Sequence, residues 1–240
     1  MAAEPSAAEA LAEAKERGWR EFTAIDAAFT AGRINQQGWH EAVRALIEPA
    51  YLAAGTPRAQ SGHSGDAAQW EHARRPLVQA LPPEGGDLLD IGCANGHLME
   101  SLAAWAARDG ITIEPYGVDI SQALVDLARE RCSQWTTRIW HANAMGWTPP
   151  RTFALVRTGL DYVPPTLRED YVQHLLTNIV APGGRLIIGI FNEEREQNAL
   201  EADVTAMGYA VGGRVTAPHR HPGVLYKAFW IDAPGQAVGE

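Results

Sequence analysis

Apolar residues along the chain change their spacing near residue 66. Before it they recur at helical intervals: Leu11, Ala14, Phe22, Ile25 and Phe29 form one stripe, with Gly18 as its weak point. Residues from Trp39 to Leu52 predict a second helix, bent or interrupted near Pro49. Ser6-Ala7-Ala8-Glu9 has the form of a capping box for the first. Both stretches are amphipathic and need a partner surface. The segment from Gly55 to Asp66 is rich in breakers and predicts a loop. Beyond it, short apolar runs alternate with helical stripes. Strands are expected near 87–91, 115–119, 137–141, 153–157, 184–191, 209–215 and 224–231, and helices near 68–80, 97–108, 121–132, 167–180 and 194–207. Leu98, Leu102 and Trp105 share a helix face, Gly110 stands where a helix should stop, and Thr166-x-x-Glu169 is a second capping-box pattern. Alternating strand and helix predict an α/β fold with a doubly wound, seven-stranded, mostly parallel sheet. No helix separates the last two runs, so the last strand should be antiparallel. The expected division is a helical extension and loop at 1–66 and a sheet domain at 67–240.

Composition narrows the function classes. Hydrophobic residues make up 46% of the 240, enough for an ordinary core. Acids outnumber bases 29 to 20, for a formal charge of −9. A protein that neutralises many phosphates carries a basic face, and here only Arg74-Arg75 and the scattered Arg129 and Arg131 offer one. This disfavours nucleic acid as a partner. The two cysteines, Cys93 and Cys132, fit neither a disulfide framework nor a metal site and read as small buried residues. The N-terminus lacks the basic and apolar regions of a signal peptide, and no apolar run reaches membrane-spanning length. The expectation is a cytoplasmic protein without a membrane partner.

Chemistry concentrates in Leu88-Leu89-Asp90-Ile91-Gly92-Cys93-Ala94-Asn95-Gly96-His97-Leu98, an apolar strand running into a glycine-rich turn that opens a helix. Such glycines let the backbone bend sharply and approach a ligand. Asp119 ends the next strand, placed to accept hydrogen bonds from ribose hydroxyls. The pattern Asp90-x-Gly92-x-x-x-Gly96 differs from the dinucleotide G-x-G-x-x-G. Its carboxylate would repel a pyrophosphate and suits a ligand with an ammonium or sulfonium end. That argues against a nicotinamide dehydrogenase on the same kind of sheet.

These residues resemble motif one of the class I S-adenosylmethionine-dependent methyltransferases. Gly117-Val118-Asp119-Ile120-Ser121 looks like motif two, and Trp140-His141-Ala142-Asn143-Ala144 sits where that family contacts adenine. Phe153-Ala154-Leu155-Val156 looks like its fourth strand, and Ala181-Pro182-Gly183-Gly184-Arg185-Leu186 like its turn into the fifth. The resemblance spans residues 66 to 232. Ala94, Asn143 and Ala154 depart from it mildly, at positions often glycine, aspartate and an acid. It implies S-adenosyl-L-methionine as cofactor, held by Asp90, Gly92, Cys93, Gly96, Asp119, Ile120, Asn143, Ala144 and the backbone of Thr158, with no metal. It also implies that the N-terminal helices form a lid over the cofactor and build part of the acceptor pocket, the alternative being that they pack against the outside of the sheet. The stretch Arg157 to Pro165 lacks the Asn/Asp-Pro-Pro-Tyr/Phe run with which many relatives grip a nucleobase or a protein nitrogen. The expected activity is methyl transfer to an oxygen or nitrogen of a small molecule, a secondary metabolite being one such acceptor. The alternatives are an RNA or protein methyltransferase and a non-catalytic cofactor-binding protein.

On the acceptor side, position alone nominates Tyr162, Asn192, Glu193, His219 and His221. Histidine is the side chain best suited to take a proton near neutrality. The competing reading of His219-Arg220-His221 is a solvated turn between Pro218 and Pro222, and it lacks a third metal ligand. His97 and His141 are expected to pack beside the cofactor turn and at a strand end. Of the eight tryptophans, Trp105, Trp140, Trp147 and Trp230 read as core, while Trp19, Trp39 and Trp70 are candidates for ligand contact.

Overall fold

The computed structural model describes residues 7–235, and the chain divides into two compact units, residues 1–53 and 54–240. The first holds α1 (Ala7–Thr30) and α2 (Gln36–Ala53). Trp39 is its buried anchor: the indole N–H donates to Asp26 Oδ1 at 2.7 Å and the ring meets Phe22 edge-on. Pro49 does not end α2, which runs on to Ala53. The Ser6 capping box and the side chains of Leu11 and Ala14 lie outside the described residues.

The second unit is a seven-stranded sheet in the order β3-β2-β1-β4-β5-β7-β6. Its strands are β1 (Gly86–Ile91), β2 (Ile113–Asp119), β3 (Ile139–His141), β4 (Phe153–Thr158), β5 (Val180–Glu194), β6 (Gly213–Pro218) and β7 (Val224–Asp232). The first five are parallel, and β7 runs antiparallel to both β5 and β6. Helices α3 (Ala67–Arg74), α4 (His97–Arg108), α5 (Gln122–Arg131), α6 (Arg168–Asn178) and α7 (Ala199–Ala206) accompany it. Period-two alternation divides the core. Leu89, Val156, Leu186 and Ile188 face one side with Tyr171, Val172 and Leu175 of α6. Leu88, Leu155 and Ile187 face the other with Leu98, Leu102 and Trp105 of α4. The strand order reverses between β1 and β4, which is where such sheets open a crevice at their carboxyl ends.

Several boundaries differ from expectation. The helix expected at 68–80 stops at Arg74, because Pro76 follows, and continues to Ala80 as a 3-10 turn. The expected start of β3 at 137 is instead the end of a 3-10 turn, Ser133–Arg138. The Thr166 capping box does not form: a 3-10 turn, Pro165–Leu167, leads straight into α6, whose N-cap Leu167 makes no side-chain bond. β5 extends to Glu194, so α7 starts later than expected, and β6 begins only at Gly213. Gly110 does end α4, with φ +77°. Among the described residues, no helix is long and apolar enough to cross a membrane.

Candidate functional site

The turn after β1 is built from left-handed backbone. Gly92 and Gly96 have φ of +72° and +76°, and Ala94 has φ +47° despite its side chain. Gly92 N and Cys93 N donate to Val118 O at 2.8 and 3.2 Å, which pins the turn to β2. Asp119 closes it: Oδ2 accepts from Ala94 N at 2.9 Å and Oδ1 from Ser121 N at 2.8 Å. Burial pushes the Asp119 carboxyl above its ordinary range, and those two N–H donors oppose the shift. Each oxygen takes one N–H in the protein and retains acceptor capacity for a ligand hydroxyl.

At the tip of β1, Asp90 is fully buried and lies opposite Arg157 of β4 in the parallel register. Arg157 Nη1 donates to Asp90 Oδ1 at 3.1 Å and to Tyr162 Oη at 3.0 Å, and Nε donates to Gly189 O. Burial raises the Asp90 carboxyl, with the Arg157 charge pulling it back down. Asp90 Oδ2 is buried and has no hydrogen-bond partner among the described residues. A buried acceptor of this kind is costly unless something donates to it, and an ammonium group fits its chemistry. The Tyr162 ring lies against the glycine turn. A Cβ added to Gly92 would sit 2.7 Å from Tyr162 Cε2, and one added to Gly159 would sit 3.2 Å from Cε1. Gly92 is therefore required first by the close approach of this aromatic ring. Burial raises the phenol's pKa, so Tyr162 stays protonated at neutral pH.

Arg157 was not among the residues singled out from sequence. The signal for it was present: a single arginine near the end of the otherwise apolar run Phe153-Ala-Leu-Val is anomalous in a buried parallel strand. Asn95 was missed too. It is fully buried and ties the 54–66 segment to the turn. Its Nδ2 donates to Pro57 O and Gln60 Oε1, both at 3.0 Å, while Oδ1 accepts from Ser61 Oγ at 2.6 Å and His97 N at 3.1 Å.

The remaining cofactor-side candidates lie at or just after strand ends. Ile120, Asn143 and Ala144 follow β2 and β3 at the carboxyl end of the sheet. Asn143 Oδ1 accepts from Met145 N at 3.0 Å, and its Nδ2 has no partner among the described residues. Thr158 is buried at the end of β4, and its hydroxyl is engaged with Tyr171 Oη at 2.7 Å, which leaves the backbone as its offering. The Cys93 side chain turns away into a small core with Met99, Val125 and Cys132, so it too offers only backbone.

Glu193 is committed elsewhere. Oε1 accepts from Ala199 N at 2.7 Å at the start of α7, and Oε2 pairs with Lys227 Nζ at 3.0 Å. Both of its oxygens therefore already have partners, the N–H at the start of α7 and the buried ammonium of Lys227. Asn192 is exposed on β5. His219 and His221 occupy the β6–β7 hairpin loop, at the carboxyl end of β5 as the antiparallel register requires. They accept from backbone instead: His219 Nδ1 from His221 N and His221 Nδ1 from Gly223 N. Their strands are two to three places from β4, roughly 10–14 Å at sheet spacing. Trp70 is core, its N–H given to Ser101 Oγ at 2.9 Å and its ring stacked on His97. With Trp39 buried as well, both drop out as ligand contacts. Among the described residues no cluster of His, Cys, Asp and Glu could hold a metal ion.

Residues 88–184 match the family model described as a methyltransferase domain. No curated protein sequence matches the chain. Among solved structures the chain resembles the cyclase SpnF, with TM-score 0.57 at 17% identity, covering 84% of this chain and 97% of that one. The N-methyltransferase NodS of Bradyrhizobium japonicum WM9 gives 0.52 at 17%, covering 69% and 96%. The 1,6-didemethyltoxoflavin-N1-methyltransferase of Burkholderia thailandensis gives 0.52 at 13%, covering 98% and 93%.

Proposed function

The chain carries a methyltransferase domain of the class I S-adenosylmethionine-dependent family, and from that premise we propose that it methylates an oxygen or nitrogen of a small molecule. The observation that carries the reading is the pair of buried acids at the tips of β1 and β2. They bracket a left-handed turn, and one of them has an acceptor oxygen without a donor. In this proposal Asp90 Oδ2 accepts from the methionyl ammonium, Asp119 from a ribose hydroxyl, and Asn143 Nδ2 donates to the adenine edge. Gly92, Cys93, Gly96, Ile120, Ala144 and Thr158 contribute backbone and walls.

The cofactor, when bound, supplies a methyl carbon activated by positive sulfur. The chain's own task is then placement of the nucleophile and exclusion of water, worth up to about 7–11 kcal/mol where alignment is good. A proton acceptor is needed only for an acceptor atom that must lose a proton. Tyr162, held protonated, suits hydrogen-bond donation better than base work. His219 has its pKa lowered by burial and by Arg220 and His221, so it is neutral at pH 7 and able to receive a proton. The acidic charge balance and the missing nucleobase-gripping run support a small acceptor over a nucleic acid. Fold relatives named as methyltransferases of small molecules are in keeping with it.

The test is calorimetric titration of S-adenosylhomocysteine into the purified protein, beside the Asp119→Ala variant and with NADH as control. Micromolar binding, weakened at least tenfold by the substitution, or about 1.4 kcal/mol, is the expected result. Binding of NADH without binding of the homocysteine product would overturn the reading.

A further inference from the structure

Resting on the reading above, we propose that Arg157 and Tyr162 form a clamp for a ligand carboxylate at the junction of β1 and β4. A guanidinium has five N–H groups and no acceptor. Arg157 Nε is taken by Gly189 O, and Nη1 by Asp90 Oδ1 and Tyr162 Oη, with Ile91 O further off at 3.4 Å. Nη2 has no acceptor among the described residues. It is also absent from the atoms sealed off from solvent. Tyr162 Oη accepts from Arg157, so its own proton points elsewhere, and no described residue receives it. Oη is hydrogen-bonded to Nη1 of the guanidinium that also carries Nη2, so the two free donors belong to one contact between the buried Arg157 and the half-buried Tyr162.

Charge completes the case. Arg157 is balanced by Asp90 alone among its hydrogen-bonded carboxylates. An ammonium group at Asp90 Oδ2 would divide that single negative charge between two cations in a poorly hydrated site. An anion beside Arg157 restores neutrality where a neutral group would not. Two free donors, a guanidinium N–H and a phenol O–H, also suit the paired oxygens of a carboxylate. That carboxylate belongs either to the methionyl end of the cofactor or to the methyl acceptor.

The experiment separates these sources. S-Adenosylhomocysteine and its analogue lacking the carboxylate are titrated into wild type, Arg157→Gln and Tyr162→Phe. Benzoate and benzamide are then titrated into protein saturated with S-adenosylhomocysteine. Arg157→Gln strands a buried Asp90 and can fail to fold, so Tyr162→Phe, which keeps the ring and loses only the hydroxyl, is the deciding variant. One supporting result is a fivefold or greater loss of S-adenosylhomocysteine affinity in Tyr162→Phe with the analogue unaffected, which assigns the clamp to the cofactor. The other is benzoate binding tenfold tighter than benzamide in wild type, with that preference lost in the variant, which assigns it to the acceptor. If Tyr162→Phe shifts neither preference, the clamp is overturned. If wild type does not bind S-adenosylhomocysteine at all, the methyltransferase reading falls first and the clamp with it.

Discussion

At the scale of single residues, the turn after β1 contains two opposite demands on backbone conformation. Ala94 holds φ +47° with a side chain that disfavours it. Ala94→Gly should therefore raise stability by up to about 1 kcal/mol, read as a higher urea midpoint at unchanged slope. Gly92 is the converse case. Its alanine variant would combine a left-handed backbone with a Cβ 2.7 Å from the Tyr162 ring, and a loss of about 2 kcal/mol or more is expected. Adding Tyr162→Ser should recover part of it, which separates the ring clash from the backbone term. The residues of this turn were legible because their chemistry is local: a strand, two glycines and an acid within a few positions announce it. Arg157 and Asn95 were not singled out, because their meaning comes from partners far along the chain. Asp90 is 67 positions from Arg157, and Ser61 is 34 from Asn95.

At the scale of elements, α4 starts from that turn with His97 at its first position, half-buried against Trp70. Burial lowers the imidazole pKa, the nearby Arg131 and Arg58 lower it further, and Glu100 opposes them. The positive end of the helix dipole acts in the same direction as the arginines. The folded pKa lies below the unfolded value of 6.5, so acidification protonates the unfolded chain first and stability falls as pH drops below that value. Melting temperatures from about pH 7.5 to 5.5 should decline more for wild type than for His97→Gln.

The 54–66 segment behaves as part of the sheet unit through Asn95, although its breakers made it read as a plain loop. Asn95→Ala removes four hydrogen bonds at a buried amide and should cost about 1–3 kcal/mol. Faster amide exchange is expected to concentrate in residues 57–61 and at the start of α4. Strand and helix identities were readable from hydrophobic period throughout. The element ends were not, because Pro76 converts one helix to a 3-10 turn and β5 extends through polar residues to pair with β7.

At the scale of the whole molecule, the seven strands and three buried clusters among the described residues belong to residues 54–240. A chain beginning at Ala54 should therefore unfold in one cooperative transition, followed by circular dichroism. A chain beginning at Ala67 should melt lower, because it lacks the partners of Asn95. The parallel sheet was implied by the alternation of strand and helix, whereas the strand order and the pairing across it were not. There the Asp90–Arg157 contact has one more consequence. The two residues face each other only when β4 lies in its native register beside β1. A slip of one position would bury a lone carboxylate and a lone guanidinium on opposite faces of the sheet, at a cost of several kcal/mol each. The same pair that shapes the crevice thus proofreads assembly, since misaligned sheets are penalised before any ligand arrives.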